Sequence, residues 1–191
     1  MKHSGKKKNG SLVLLLVLGL LVLTAWGCGK TSVPPIPASD VTWERTADFD
    51  KSGPIGSLEL PKGAQASRQD HGQEMLYVYQ TTVAMKKLIF SVIISPLDEY
   101  TLKSMGPEKI LEERKKLDSG TKLIKEEKIK DLDGNPGWHL ASVKGGVFAK
   151  LWMYVVGKHI IVFGTGGQAA DADLFREIER RFVGSVRYRK S

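Results

Sequence analysis

The chain opens with an unbroken apolar run, Leu12–Leu23, that has neither a strand nor an amphipathic-helix period. From about Phe49 onward apolar and polar positions instead alternate in short β-type segments. Ser57–Leu60 is stopped by Pro61, which suits a first or edge strand. Leu76–Val83 and Lys87–Ser95 are rich in β-branched and aromatic residues and are separated by Ala84-Met85-Lys86, a hairpin-length link. Lys87–Ser95 is apolar on both faces and predicts a central strand with both sides covered. A helix is expected next. Pro107 suits its first turn, Glu108 the positive end of its dipole and Gly120 its stop, with Ile110, Leu111 and Leu117 on one side and Glu112–Lys116 as an i,i+4 pair. Four strands follow, at Leu123–Lys130, Trp138–Val143, Val147–Val155 and His159–Gly164. Their links (Asp133–Gly137, Gly145-Gly146 and Gly157-Lys158) are too short for a crossover, so these strands must be antiparallel neighbours. A last helix runs from about Asp171, its N-cap, to Val183, with Leu174, Phe175, Ile178 and Phe182 facing the core. The fold class is therefore α+β: an antiparallel β-sheet packed with two main helices, as a sandwich, in one domain over residues 49–191.

The chain of 191 residues carries a formal charge of +8, but Lys2, Lys6, Lys7 and Lys8 precede the apolar run. Without residues 1–27 the balance falls to +4, ordinary for a soluble domain and no reason to invoke nucleic acid. A basic stretch, a 12-residue apolar run and then Thr-Ala-Trp-Gly-Cys make the three parts of a secretory signal peptide. The run is short of the roughly 20 residues that span a bilayer. Counting through Gly27 lengthens it, so an uncleaved anchor is the alternative reading. Cys28 is the only cysteine, so no intramolecular disulfide can form. Residues 28–48 hold Val33-Pro34-Pro35-Ile36-Pro37 and read as an extended spacer, with Trp43 packing at its far end or standing free.

The segment ending Gly27-Cys28 resembles a bacterial lipoprotein signal, with Ala25 and Trp26 departing from the usual residues before the cysteine. That resemblance implies a diacylglyceryl group on Cys28, cleavage between Gly27 and Cys28, and acylation of the new amine. Gly29 after the cysteine, rather than aspartate, then implies the outer membrane if the cell has two. The order of elements in Gly53–Tyr188 resembles the PsbP-like fold, through Leu132-Asp133-Gly134-Asn135-Pro136-Gly137, the turn Tyr154–Lys158, and the closing Phe182-Val183-Gly184-Ser185-Val186. The resemblance implies an accessory or binding protein rather than an enzyme, and carries no ligand residues with it.

Several motifs have a chemical look. Gly164-Thr165-Gly166-Gly167-Gln168-Ala169 fits a dinucleotide fingerprint, but the chain ends before a second parallel strand with its acid could follow. These glycines are expected to make the turn into the last helix, and no cofactor is expected. Asp131, Asp133 and Asn135 have the spacing that opens a calcium loop, yet Pro136 and Ser142 stand at its glycine and glutamate positions, so turn chemistry is the better reading. His71, His139 and His159 are isolated, and no metal site is expected. No catalytic motif is legible. Arg176, Arg180, Arg181, Arg187, Arg189 and Lys190 make a basic C-terminus: either a cation-favoured helix end or a contact for anionic headgroups or an acidic partner. One face of Val147–Val155 reads Val147, Ala149, Leu151, Met153, Val155; the other reads Phe148, Lys150, Trp152, Tyr154. With Tyr77 and Tyr79 on a neighbouring strand, Phe148, Trp152 and Tyr154 form either an aromatic binding face or a core face.

The expectation is a non-enzymatic envelope lipoprotein, anchored through Cys28, that binds or scaffolds another envelope component. The alternative is a binder of small ligands or polysaccharide that uses Phe148, Trp152, Tyr154, Tyr77 and Tyr79.

Overall fold

The structure, a computed structural model, describes residues 34, 36–51, 53–72, 74–84, 86–116, 123–144, 147–168 and 172–189. Gly27, Cys28 and the apolar run lie outside the described residues, as do Leu117, Gly120 and Asp171 and the side chain of Lys116.

Short links build two antiparallel meanders. The first is β4 (Gln65–His71), β5 (Glu74–Val83) and β6 (Lys86–Pro96); the second is β7 (Leu123–Lys130), β8 (Pro136–Lys144), β9 (Val147–Val156) and β10 (His159–Gln168). They join where β10 pairs with β6, from His159↔Pro96 to Gly167↔Leu88. The result is a seven-stranded sheet of order β4-β5-β6-β10-β9-β8-β7, antiparallel throughout. Strand β6 is central and apolar on both faces because both are covered, as expected from Lys87–Ser95. The long connection from β6 to β7 carries α1 (Glu99–Ser104) and α2 (Pro107–Lys116). Ile110 and Leu111 of α2 pack on one face of the sheet, over Leu76, Ile93, Leu140, Leu151 and Met153.

The opposite face is covered by α3 (Ala172–Ile178), which runs into a single π-helical turn, Glu179–Val183. The Gly184 N–H donates to the Glu179 carbonyl at 2.8 Å, the i→i+5 bond of that turn. Leu174, Phe175, Ile178 and Phe182 all reach the core, as their spacing predicts. Two small strand pairs flank this layer: β1 (Trp43–Arg45) with β3 (Glu59–Pro61), and β2 (Ile55–Ser57) with β11 (Arg187–Tyr188).

Two expectations change here. Residues 28–48 are not a spacer throughout, because Ile36 is fully buried, Val41 is buried and β1 pairs with β3. Trp43 meets Phe90 edge-on at 5.9 Å, so the domain is under way by Ile36 rather than Phe49. The glycines of Gly164–Gly167 do not make a turn; they lie inside β10, which continues to Gln168. A Cβ on Gly164 would stand 2.5 Å from Ser91 Oγ, and one on Gly167 would stand 2.8 Å from Leu88 Cδ2. Close packing on β6 demands glycine at 164 and 167.

Candidate functional site

Strand alternation sends Phe148, Lys150, Trp152 and Tyr154 of β9 to the α3 side of the sheet. That side is an interior. Trp152 is 0% exposed, Tyr154 4%, Tyr77 6% and Tyr79 9%. Tyr154 packs on Phe163 at 6.2 Å, while Tyr77 and Tyr79 pack on Phe49 at 4.8 and 5.8 Å. Burial, with the Asp50 carboxylate next in effect, pushes the Tyr77 hydroxyl up to about 12; burial, then Tyr77, does the same for Tyr79. Strands β5 and β9 are also separated by β6 and β10. The five aromatics therefore make no exposed binding face. Four are core, and Phe148 alone stays partly open.

Phe148 borders an open cleft of about 650 Å³ between α3 and the β7–β9 wing. Ala141 is its small floor side chain, with Ser142 and Ala149 bordering it although alternation turns their side chains to the opposite face; Ile124, Lys125, His139, Lys150, Phe175, Arg176 and Glu179 complete it. Its geometry follows from register. His139 on β8 lies opposite Glu127 of β7 and Trp152 of β9, and Lys150 lies opposite Ala141, so these side chains share the α3 face. The π turn begins at Glu179 and brings that carboxylate to the same cleft.

The imidazole of His139 stacks on the Trp152 indole at 5.2 Å with the rings 4° from parallel. Its Nδ1 faces Glu127 Oε2 at 3.8 Å. Its Nε2 is buried without a hydrogen-bond partner among the described residues. Burial first, then the Lys150 cation, hold the imidazole below its usual pKa and favour the neutral ring. Lys150 Nζ sits 4.7 Å from the Phe175 ring and 5.9 Å from that of Trp152. Burial lowers its pKa too, opposed by Glu179. Phe148 and Phe175 meet edge-on at 5.9 Å. An apolar wall and one cation thus converge on a concavity that the largely buried His139 ring also borders, an arrangement suited to binding. Sequence reasoning set His139 aside as isolated and passed over Lys150, although a lysine between Phe148 and Trp152 on a strand face is a visible anomaly.

A smaller hollow of about 160 Å³ lies beside the β7–β8 hairpin, between Asp131, Tyr154, Glu179 and Tyr188. Burial, then the Asp131 carboxylate, raise the Tyr188 hydroxyl far above its usual pKa. Asp131 Oδ1 accepts from the N–H groups of Asp133 at 3.0 Å and Asn135 at 2.8 Å, and its Oδ2 accepts from Asn135 Nδ2 at 2.8 Å. With Gly134 at φ +81°, this is turn chemistry. Among the described residues no three His, Cys, Asp or Glu side chains gather as a metal site, and no helix is long and apolar enough to cross a membrane. His159 sits at the β10 start, its pKa lowered by burial; the His71 side chain lies outside the described residues.

The basic C-terminus is largely paired. Arg176 bonds Asp173, Arg180 bonds Glu177, Arg181 bonds both Glu177 and Glu59, and Arg189 reaches Asp48 at 3.5 Å. These carboxylates compete with the anionic headgroups or acidic partner that a bare basic tail would attract.

No protein-family model matches the sequence, and no curated protein matches it either. The fold is similar to that of the cyanobacterial PsbP protein CyanoP from Synechocystis sp. PCC 6803, with TM-score 0.50 and 17% identity over 87% of this chain and 99% of that one. Weaker likenesses are to PA94 of Pseudomonas aeruginosa, a protein of unknown function (TM-score 0.38, 12% identity, 65% of this chain and 88% of that one). Another is to a protein from Bacteroides thetaiotaomicron (TM-score 0.35, 14% identity, 71% and 45%). On its seven-stranded antiparallel sheet with helices on both faces, and its match to nearly the whole of CyanoP, the domain has the PsbP-like fold.

Proposed function

We propose that this chain is an envelope lipoprotein, cleaved between Gly27 and Cys28, acylated on Cys28, and carrying a PsbP-like domain that binds another envelope component without transforming it. The outer membrane is its place in a cell with two. The support for anchoring is the signal itself: a basic start, a short apolar run and a sole cysteine after Gly27. Three acyl chains, at about 0.8 kcal/mol per buried methylene, hold such a protein on its bilayer essentially permanently. The support for binding, and the observation that carries it, is the cleft under α3, where Phe148, Phe175 and Lys150 converge.

The test is made on the full chain purified from native membranes. Intact mass gives a polypeptide lacking residues 1–27 with added acyl mass. A chain beginning at Met1 with no added mass overturns the anchor. Capture from solubilised envelope yields a stoichiometric component that Phe148→Glu, at the partly open edge of the cleft, loses and Glu99→Lys, on the distant helix α1, retains. Equal capture by both variants overturns the assignment of binding to the cleft.

A further inference from the structure

We infer that the cleft between α3 and the β7–β9 wing takes a small monocarboxylate with a flat apolar body and a hydroxyl donor. The inference rests on the cleft being a binding site and adds the chemistry of what enters it.

Lys125 is held by Glu127 at 2.7 Å and Arg176 by Asp173, so both rim cations are already paired. Lys150 has neither a hydrogen bond nor an ion pair with any described residue; its contacts are the faces of Phe175 and Trp152. A half-buried ammonium without an acceptor is an incomplete arrangement, because aromatic faces replace only part of its lost hydration. One anionic group on the ligand completes it. Glu179 lines the same cleft, already acts on Lys150 and repels any anion, a dianion about twice as strongly as a single carboxylate, which favours a carboxylate over a phosphate dianion.

The second polar group is His139. With Glu127 facing Nδ1, the proton of the neutral ring sits there, and the buried Nε2 lone pair is left to accept. A ligand hydroxyl supplies the missing donor. A third feature fixes the body. Phe148 and Phe175 form an apolar edge at a cleft whose volume lies in the range of small-molecule sites, about 300–1,000 Å³. A flat ring packs there at little conformational cost.

The probe is 4-hydroxybenzoate, titrated by calorimetry into the full chain in detergent, with benzoate, 4-hydroxybenzyl alcohol, tyramine and phenyl phosphate as comparators. One-site saturable binding is expected. The alcohol and tyramine bind at least about tenfold more weakly, as loss of one charge-assisted hydrogen bond implies, and phenyl phosphate binds more weakly because Glu179 repels its second charge. Lys150→Met costs a similar factor and Lys150→Arg restores most of it; Lys150→Gln serves if the methionine variant does not fold. His139→Phe preserves a ring against Trp152 and lowers the affinity for 4-hydroxybenzoate to that for benzoate, leaving benzoate unchanged. Absence of saturable 4-hydroxybenzoate binding overturns the inference, as does unchanged affinity in a folded Lys150 variant. Equal or tighter binding of tyramine or the alcohol also overturns it, but if Phe148→Glu abolishes that binding the cleft remains a binding site with other chemistry. Loss of every probe leaves the cleft's role to be decided by the envelope capture alone.

Discussion

At the scale of single residues, Trp152 and His139 carry the most consequence. Trp152 has no exposure, an indole Nε1 without a partner among the described residues, and His139 stacked on its face. Truncation to alanine removes the largest side chain of the α3-side core. Large aromatic-to-alanine changes in cores cost about 3–5 kcal/mol. For a domain of this size each kcal/mol shifts Tm by about 2–4 °C. Trp152→Ala is therefore expected to melt about 10 °C lower by circular dichroism, and acrylamide should quench Trp152 poorly in the parent. Ready quenching with an unshifted Tm would restore the exposed aromatic face. His139 gives a pH signature. Its folded pKa lies below that of an unfolded histidine, about 6.5, so the unfolded state takes up the proton first. Stability then falls as pH drops through about 6.5 and stops falling below the folded pKa. Lys150 and Lys125 reinforce the shift, while Glu179 and Glu127 oppose it. His159 adds in the same direction. Thermal melts from pH 7.5 to 5.5 should decline, and His139→Phe should flatten the slope without abolishing it. An unchanged slope would mean that His139 does not titrate against folding.

At the scale of elements, legibility followed how local the cause was. Strands β7, β8 and β9, and the hairpin Asp131–Asn135, depend on alternation and turn residues a few positions apart, and their placement agrees with the sequence to within about two residues. Strand β6 declared its central position because an edge strand does not need apolar residues on both faces. Strand β4 did not declare itself. Gln65-Ala-Ser-Arg-Gln-Asp-His is polar on both sides, exposed from Gln65 to Asp70, and is a strand because β5 pairs with it. The glycines of β10 misled for the opposite reason. Their role lies in neighbours 73 to 79 positions earlier, Leu88 and Ser91, and a local reading sees only a breaker. The cleft has the same origin. His139, Lys150 and Glu179 come from three elements, and only pairing register combined with the π turn gathers them. Conversely, the alternation of Phe148, Lys150, Trp152 and Tyr154 was plain in sequence, but whether that face met water depended on α3 arriving over it.

At the scale of the whole molecule, the boundary between domain and tether decides how the domain stands relative to its anchor. Proline spacing alone assigns residues 28–48 to an extended arm, but Ile36 is fully buried within the α3-side core, and the Lys86 ammonium donates to the Pro34 carbonyl beside it. Val41 and Trp43 continue that packing, and β1 adds a strand pair. At most eight residues, 28–35, then separate Cys28 from the buried Ile36, a reach of no more than about 28 Å even fully extended. Under the proposed acylation the domain stays close to the bilayer, where an arm of twenty residues would have let it range about twice as far. Two variants separate the cases. Ile36→Ala empties a sealed core position and should destabilise the domain by about 2–5 kcal/mol, lowering Tm accordingly. Deletion of Lys30–Ser32, which removes no described residue, should leave Tm unchanged while drawing the domain toward the lipid, read as stronger energy transfer from Trp43 to a headgroup acceptor in vesicles. If Ile36→Ala melts like the parent, the arm extends to Phe49 after all and the domain begins where alternation alone would start it.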